Sequence, residues 1–334
     1  LFSFINYPAY IKSNIIDFII ILYGILYYFF FKFYFEKKDF NLKKILIFYI
    51  TFGFLLSIIY HINASLFFKI RSFWTMSGNI IEVKDSLLIH RFTSTYSDPN
   101  NAAVSFIAVY TFLIFNTRLS QIEYIYLSLA TIFITFSTMS STGFVLLGFL
   151  FFLVIFNYII RKKNYRNRSI KSLLINNIIL LFCLPLAYLI INIFLNSDIV
   201  GTALYRLSTN SANSRFRIWF TLLRSDNIFK YIIIGKGGTI LLNYVPFKPH
   251  NGHLYLIYNY GMLAYFIFIY IFFRIRKLSL VKEYVFLIIF LVGFTMNVGI
   301  YEPRFINLLA LLVSAYSCFI NKTYNKDIQN TSKN

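Results

Sequence analysis

Residues 45–60 read ILIFYITFGFLLSIIY, sixteen in a row without a charged side chain. A helix needs about 20 apolar residues to cross the hydrocarbon of a bilayer, and this run with its flanks predicts one span. Working outward, eight further runs predict the others: 15–35, 102–115, 122–136, 143–160, 173–195, 254–273, 284–299 and 305–320. Several are short, so their ends are expected to extend into neighbouring Ser, Thr and Asn residues. Pro185 lies inside one span and predicts a kink, which adjacent helices accommodate. The expected fold is all-α: a polytopic transmembrane helical bundle of about nine spans. It forms a single integral membrane domain over 1–334, with two long loops, 61–101 and 196–253, containing short helices.

Composition supports this reading. Of 334 residues, 58% are hydrophobic and 13% charged, with 21% aromatic; soluble domains carry about 25% charged residues. The mean hydropathy is +0.67. Lys and Arg number 32 against 12 Asp and Glu, a formal charge of +20. In a soluble protein that balance suggests nucleic acid; in an apolar chain it suggests basic loops on one membrane face. A soluble enzyme, a disordered tail and a nucleic-acid-binding domain are disfavoured. Cys183 and Cys318 lie in apolar runs without metal-ligand spacing, and the chain holds four His. Neither a disulfide framework nor a metal cluster is expected. The chain begins at Leu1, and an additional helix upstream is expected.

The connecting segments predict orientation. Loops 36–44, 116–121, 161–172 and 274–283 and the tail 321–334 carry eighteen Lys and Arg, including Arg161-Lys162-Lys163, whereas 137–142 and 300–304 carry Arg304 alone. Basic loops stay on the cytoplasmic side, so the C-terminus is expected in the cytoplasm and the two long loops outside. Both Trp and all four His fall in or beside those long loops. Span interiors hold almost no ionisable residue; Asp17 and Lys32 sit near helix ends. Intramembrane charges mark ion and proton paths, so their scarcity argues against a proton-coupled transporter and directs chemistry to the outer face.

Loop 196–253 holds Arg206, Arg215, Arg217, Arg224, Lys230, Lys236 and Lys248 against Asp198 and Asp226, a charge of +5. Long loops translocate regardless of charge, so a solvated surface and an anion site are both open. Within it, Asn213 or Ser214 can cap a helix. At 100° per residue, Phe216, Trp219, Phe220 and Leu223 form an apolar arc, extended by Ile218 and Leu222. Arg217, Thr221 and Arg224 form a polar strip. Arg215 falls among the apolar positions, one turn from Trp219. A guanidinium there calls for an anionic partner, a cation–π contact with Trp219, or fraying of the first turn. Gly235-Lys-Gly-Gly238 permits a close backbone approach or an anion-binding turn, and equally an ordinary turn. Pro249-His250-Asn251-Gly252-His253 enters the next span; its imidazoles fit a general base at the rim or helix capping.

In the other loop, Ser97-Asp98-Pro99-Asn100-Asn101 predicts a capped helix start. Residues 64–75 predict an interfacial amphipathic segment, with Lys69 and Arg71 placed to meet lipid phosphates. Glu302-Pro-Arg304 predicts a tight turn, whose charges pair together or lend Arg304 to an anion site.

Taken in order, these segments resemble the O-antigen polymerase/ligase superfamily over about residues 90–320. The resemblance is carried by Asp98-Pro-Asn100 before a span, Ser140-Ser-Thr-Gly143 opening another, and Ser214-Arg215-x-x-x-Trp219 in a long loop. Gly235-x-Gly and His250-Asn251-x9-Gly261 follow. The chain has Thr142 where members often carry Arg, which leaves the second phosphate-binding cation open, and Ala264 where the ligase pattern has a small or aromatic residue. The resemblance implies metal-independent glycosyl transfer without a cofactor, from a polyprenyl (undecaprenyl) diphosphate-linked oligosaccharide to a sugar hydroxyl. The setting it implies is the outer face of a bacterial inner membrane.

It implies Arg215 and His250 as catalytic residues. Arg217, Arg224, Trp219, Asn251, His253, Arg304 and Asn100 are expected to bind substrate. A polymerase of polysaccharide repeat units, working among membrane lipids and with a chain-length regulator, is the leading expectation. A ligase acting on lipid A–core is the alternative. A flippase, which predicts internal repeats and mid-membrane polar groups, ranks below both.

Overall fold

The computed structural model describes residues 11–37, 41–73, 91–96, 98–162, 232–233, 235, 240–242, 245–247, 251–274, 285–296 and 303–331. In chain order these form α1 (Ile11–Lys37), α2 (Leu42–Ile62), α3 (Ala64–Ser72), α4 (Pro99–Asn116), α5 (Gln121–Thr138) and α6 (Ser141–Lys162). There follow β1 (Ile240–Leu242), β2 (Val245–Phe247), α7 (Gly252–Arg274), α8 (Val285–Met296) and α9 (Pro303–Thr331). Eight of the expected spans overlap a described helix; span 173–195 lies outside the described residues. Among the described residues the departure from an all-helical fold is one antiparallel hairpin within 196–253, with Ile240 opposite Phe247 and Leu242 opposite Val245. Pro246, which lacks an amide donor, is tolerated because a two-stranded ribbon has only edges. Among the described residues one helix, α2, is long and apolar enough to cross a membrane. Shorter apolar stretches occupy Ser141–Val154 of α6 and Pro303–Cys318 of α9.

Local chemistry sets the helix ends. The amphipathic segment after residue 63 forms α3, whose first turn is capped by Asn63, its side chain accepting from the Leu66 amide at 2.9 Å. Asp98 caps α4 with Pro99 in the first turn, where its missing N–H costs nothing. Ser120 and Glu123 cap α5 reciprocally, side chain to backbone in both directions. The chain then leaves α5 through Met139 in a left-handed conformation (φ 46°).

The described residues fall into two compact units, one within 43–210 and one comprising 1–42 and 211–334. In the first, α4 is the central helix, buried continuously from Asn100 to Leu113. Contacts along α2 and α5 advance together. Lys43 Nζ meets Glu123 Oε2 at 2.7 Å and the Arg118 carbonyl at 2.9 Å. The Tyr126 hydroxyl donates to Thr51 Oγ1 at 2.9 Å, Phe54 stands edge-on to Phe133 at 5.4 Å, and His61 meets Ser137 at 2.8 Å. The two helices are therefore parallel. Segment 116–121 and the start of α2 lie at one end of this unit. The polar residues around His61 and Ser137 lie at the other, roughly 27 Å away at 1.5 Å per residue.

In the second unit α1 and α9 also run parallel: Gly24 lies against Ile306 and the Cys318 thiol donates to the Lys32 carbonyl at 3.7 Å. Phe290 of α8 packs edge-on against Phe305 of α9, 4.9 Å between centroids. The outward faces are apolar: Phe30 of α1 is 60% exposed, Phe48 of α2 68% and Leu263 of α7 71%. Exposed apolar faces of this kind mark contact with a membrane or a partner.

Candidate functional site

In the unit within 43–210, four segments meet where α5 ends. Asn100, in the first turn of α4, is buried, and its backbone N–H donates to Asp98 Oδ1 at 2.6 Å. Its side-chain oxygen accepts from Ser140 Oγ at 2.7 Å and, at the edge of bonding range, from Arg91 Nη2 at 3.5 Å. Ser140 Oγ in turn accepts from the Gly143 amide at 3.1 Å, capping α6. Gly143 is required there, since a Cβ would fall 2.8 Å from both Ala103 Cβ and Thr135 Cγ2. The Asp98-Pro-Asn100 and Ser140-Ser-Thr-Gly143 segments, forty residues apart, are thus joined by one buried hydrogen bond.

Arg91 is the residue that sequence reasoning missed. Its Nε donates to the Thr138 carbonyl at 3.0 Å, at the C-terminal end of α5, and the Phe92 amide donates to the Ser137 carbonyl at 3.2 Å. Nothing in local spacing marks Arg91, because its partners are contributed by α4 and α5.

His61 approaches the same helix end. The Ser137 hydroxyl donates to the Phe133 carbonyl at 2.9 Å, so its contact with His61 Nε2 at 2.8 Å has the imidazole as donor. That fixes the tautomer. Nδ1 keeps its lone pair, on a ring held edge-on by Phe133 and Tyr60. Thr142, in the first turn of α6, is 1% exposed, and its hydroxyl has no hydrogen-bond partner.

The second unit holds the other described part of the expected site. Asn251 caps α7, its side-chain oxygen accepting from the Leu254 amide at 3.0 Å. His253 follows at the rim of the expected span. Its Nε2 donates to the Leu291 carbonyl at 3.0 Å and its Nδ1 accepts from the Tyr265 hydroxyl at 3.2 Å. With both ring nitrogens engaged, His253 ties α7 to α8 and is not placed to take a substrate proton.

Burial lowers the pKa of His253 below the ordinary 6.5, partly offset by the Leu291 hydrogen bond. The native state therefore prefers the neutral ring. Above 6.5 both folded and unfolded chains hold it neutral; as pH falls through 6.5 the unfolded chain takes the proton first and stability is lost. His253→Gln should accordingly lose less thermal stability than wild type between pH 7.5 and 5.5. Equal losses in a detergent melting experiment would contradict this assignment.

α7 is kinked. Gly261 has φ 83° and ψ 167°, a conformation reserved for glycine. Gly235, also at positive φ, packs on the kink: a Cβ there would fall 2.5 Å from the Asn259 carbonyl oxygen and 2.7 Å from the Gly261 nitrogen. Gly235 and Gly261 are thus neighbours in space, through a close backbone approach. The Asn259 carboxamide beside them is fully buried with neither polar atom bonded, a costly arrangement of about 1–3 kcal/mol for an unmatched polar group.

Arg304 sits in the first turn of α9, where the helix dipole disfavours a cation and favours an anion beside it. Arg215, Arg217, Trp219, Arg224 and His250 lie outside the described residues, as do His90, Trp74 and Glu302. Asn100 falls in one unit, and Asn251, His253 and Arg304 in the other.

Compared with protein families, curated proteins and solved structures, the chain matches none of them.

Proposed function

We propose that this chain is a membrane glycosyltransferase that polymerises polysaccharide repeat units carried on a polyprenyl diphosphate. The observation that carries the reading is the Asn100–Ser140 hydrogen bond. It joins two of the segments on which the resemblance rests, at the end of the helices remote from Lys43, Lys44 and Arg118. With basic loops cytoplasmic, that end faces outward, where the lipid-linked glycan is presented. The apolar outer faces of α1, α2 and α7 fit a membrane setting; nine spans, an inner-membrane location and a cytoplasmic C-terminus rest on the sequence pattern of apolar runs and basic loops.

The chemistry is a substitution at a sugar. The acceptor hydroxyl oxygen bonds to the anomeric carbon while the bond from that carbon to the diphosphate oxygen breaks. The electron pair leaves with the polyprenyl diphosphate, and the hydroxyl proton passes to His250. Arg215 stabilises the charge growing on the leaving group through paired N–H donors. Arg217, Arg224 and Arg304 supply further positive charge, Trp219 and Asn251 shape the site, and His253 holds α7 against α8.

Purified protein supplied with lipid-linked repeats should produce dimers and longer products together with released polyprenyl diphosphate. Unextended repeats would sink the reading. The His250-Asn251-x9-Gly261 pattern fits a ligase nearly as well, and a deletion strain separates the two: loss of a polymerase leaves lipid A bearing one repeat, and loss of a ligase leaves none.

A further inference from the structure

We propose that α3 is a membrane-docking helix that lies along the bilayer surface, with Leu66, Ile70 and Phe73 seated at the acyl boundary and Lys69 on an anionic phospholipid headgroup. The inference rests on α2 crossing the bilayer and not on glycosyl transfer. The 21 residues of α2 extend about 31 Å at 1.5 Å per residue, which matches a hydrocarbon core of about 30 Å. Its last residue, Ile62, therefore stands at the membrane boundary, 78% exposed and in line with exposed Leu55 and Phe48 at seven-residue intervals. α3 begins just beyond Asn63, whose extended backbone (φ −149°, ψ 90°) separates the two helices. Buried Phe67 packs edge-on against Tyr60 at 5.4 Å and meets Phe92 at 5.3 Å, which ties α3 to the last turn of α2.

At 100° per residue, residues 64–73 divide into three flanks. Ala64, Phe67, Phe68 and Arg71 share the flank turned to the protein, where Arg71 Nη2 donates to the Tyr96 carbonyl at 3.2 Å. Arg71, expected from the sequence to meet lipid phosphates, thus faces inward. Leu66, Ile70 and Phe73 form a second, apolar flank, on which Phe73 is 87% exposed. Ser65, Lys69 and Ser72 form the third, which is polar and exposed. An apolar flank beside a polar one, with a cation at their border, suits a helix lying in the headgroup layer. The apolar side chains leave water there, and the Lys69 stem runs along them while its ammonium stays at phosphate level. Residues 61–73 contain no Asp or Glu, so the exposed charge of this helix is purely positive and complements an anionic headgroup. Its position directly beyond α2 selects lipid over a protein partner.

The test uses the full chain in lipid nanodiscs, with Cys183→Ala and Cys318→Ala, and a nitroxide attached after Ser65→Cys, Leu66→Cys or Phe73→Cys. Collision of the nitroxide with oxygen and with a neutral, water-soluble nickel chelate reads its depth. The Leu66→Cys and Phe73→Cys labels should favour oxygen, at a depth of about 5–10 Å into the headgroup and acyl boundary. The Ser65→Cys label should favour the chelate. Water-like values at all three positions overturn the proposal, and lipid-like values at all three overturn the surface placement. Shielding of the Leu66→Cys and Phe73→Cys labels from both reagents would mark a protein partner or a second copy and also overturns it.

Nanodiscs of phosphatidylcholine alone, or mixed with phosphatidylglycerol, test the headgroup. Phosphatidylglycerol should raise the oxygen-to-chelate ratio of the Phe73→Cys label about twofold to fivefold, the scale set by one lysine at an anionic surface. Lys69→Arg should keep that rise and Lys69→Gln should abolish it. An equal rise in Lys69→Gln overturns the role of Lys69, and no rise with Lys69 present overturns the anionic preference. Thermal unfolding of each variant checks that the fold is retained, and the contrast between neighbouring positions 65 and 66 does not depend on activity.

Discussion

Arg215→Ala is expected to lower glycan transfer about 10²–10³-fold, the cost of removing one donor that stabilises a developing oxyanion, while leaving protein abundance unchanged. In cells the expected result is loss of the polymer ladder with the single-repeat product retained. The argument starts from the sequence pattern: on the helix expected over 213–224, Arg215 falls among the apolar positions, between Leu222 and Trp219. A guanidinium held against apolar groups is poorly hydrated and interacts strongly with an arriving diphosphate. Arg217 and Arg224 are expected on the polar strip, where water and salt would screen them, so their Ala variants should cost less, about tenfold or under. Arg215→Lys should recover part of the rate, since a point charge replaces the planar fork without its paired geometry. Measured initial rates with purified protein check this ordering. An Arg215→Ala enzyme that builds ladders of normal length would sink the assignment.

How far the sequence could be read depended on the distance over which each signal acts. Helices announced themselves because an apolar run and its capping residues are local: Asp98 with Pro99, Ser120 with Glu123, and Asn63 all sit within four residues of what they cap. The helix at 64–72 was legible from its mixed apolar and basic pattern. The hairpin at 240–247 was not, since three-residue strands are too short to show an alternating period. In the candidate site the same limit operates.

Asn100 and Ser140 were visible as motif residues, but not the bond between them across forty positions. The second cation was left open at Thr142, and the structure brings a guanidinium to that neighbourhood from Arg91, 47 residues before the carbonyl it meets. His253 read as a substrate-facing imidazole because spacing carries no information about Leu291 or Tyr265, which occupy its two nitrogens. His61 read only as a loop-rim residue for the same reason. Which histidine is engaged and which keeps a lone pair is a property of tertiary packing.

Gly261→Ala is expected to be the most destabilising single-methyl change among the described glycines, by about 3 kcal/mol. The backbone there lies in a region that side-chain-bearing residues essentially do not enter, with about 1–3 kcal/mol stored per such position. Straightening α7 to relieve it would also move Asn259 and Tyr260, whose backbone abuts Gly235. Gly235→Ala should fail similarly for a different reason. Its Cβ would sit 2.5–2.7 Å from the backbone of Asn259, Tyr260 and Gly261, none of which can rotate away as a side chain would. Gly148 supplies the opposite sign. It lies in α6 with nothing within 4 Å of an added Cβ, so Gly148→Ala should be neutral or stabilising by about 0.5–1 kcal/mol through helix propensity alone. Thermal unfolding of the three variants in one detergent measures the series. Equal behaviour of Gly261→Ala and Gly148→Ala would show that the kink does not depend on glycine. The predicted split would make the junction of Gly235 and Gly261 a rigid pivot, which sets where the N-terminal half of α7, with His253 and the capping Asn251, is presented.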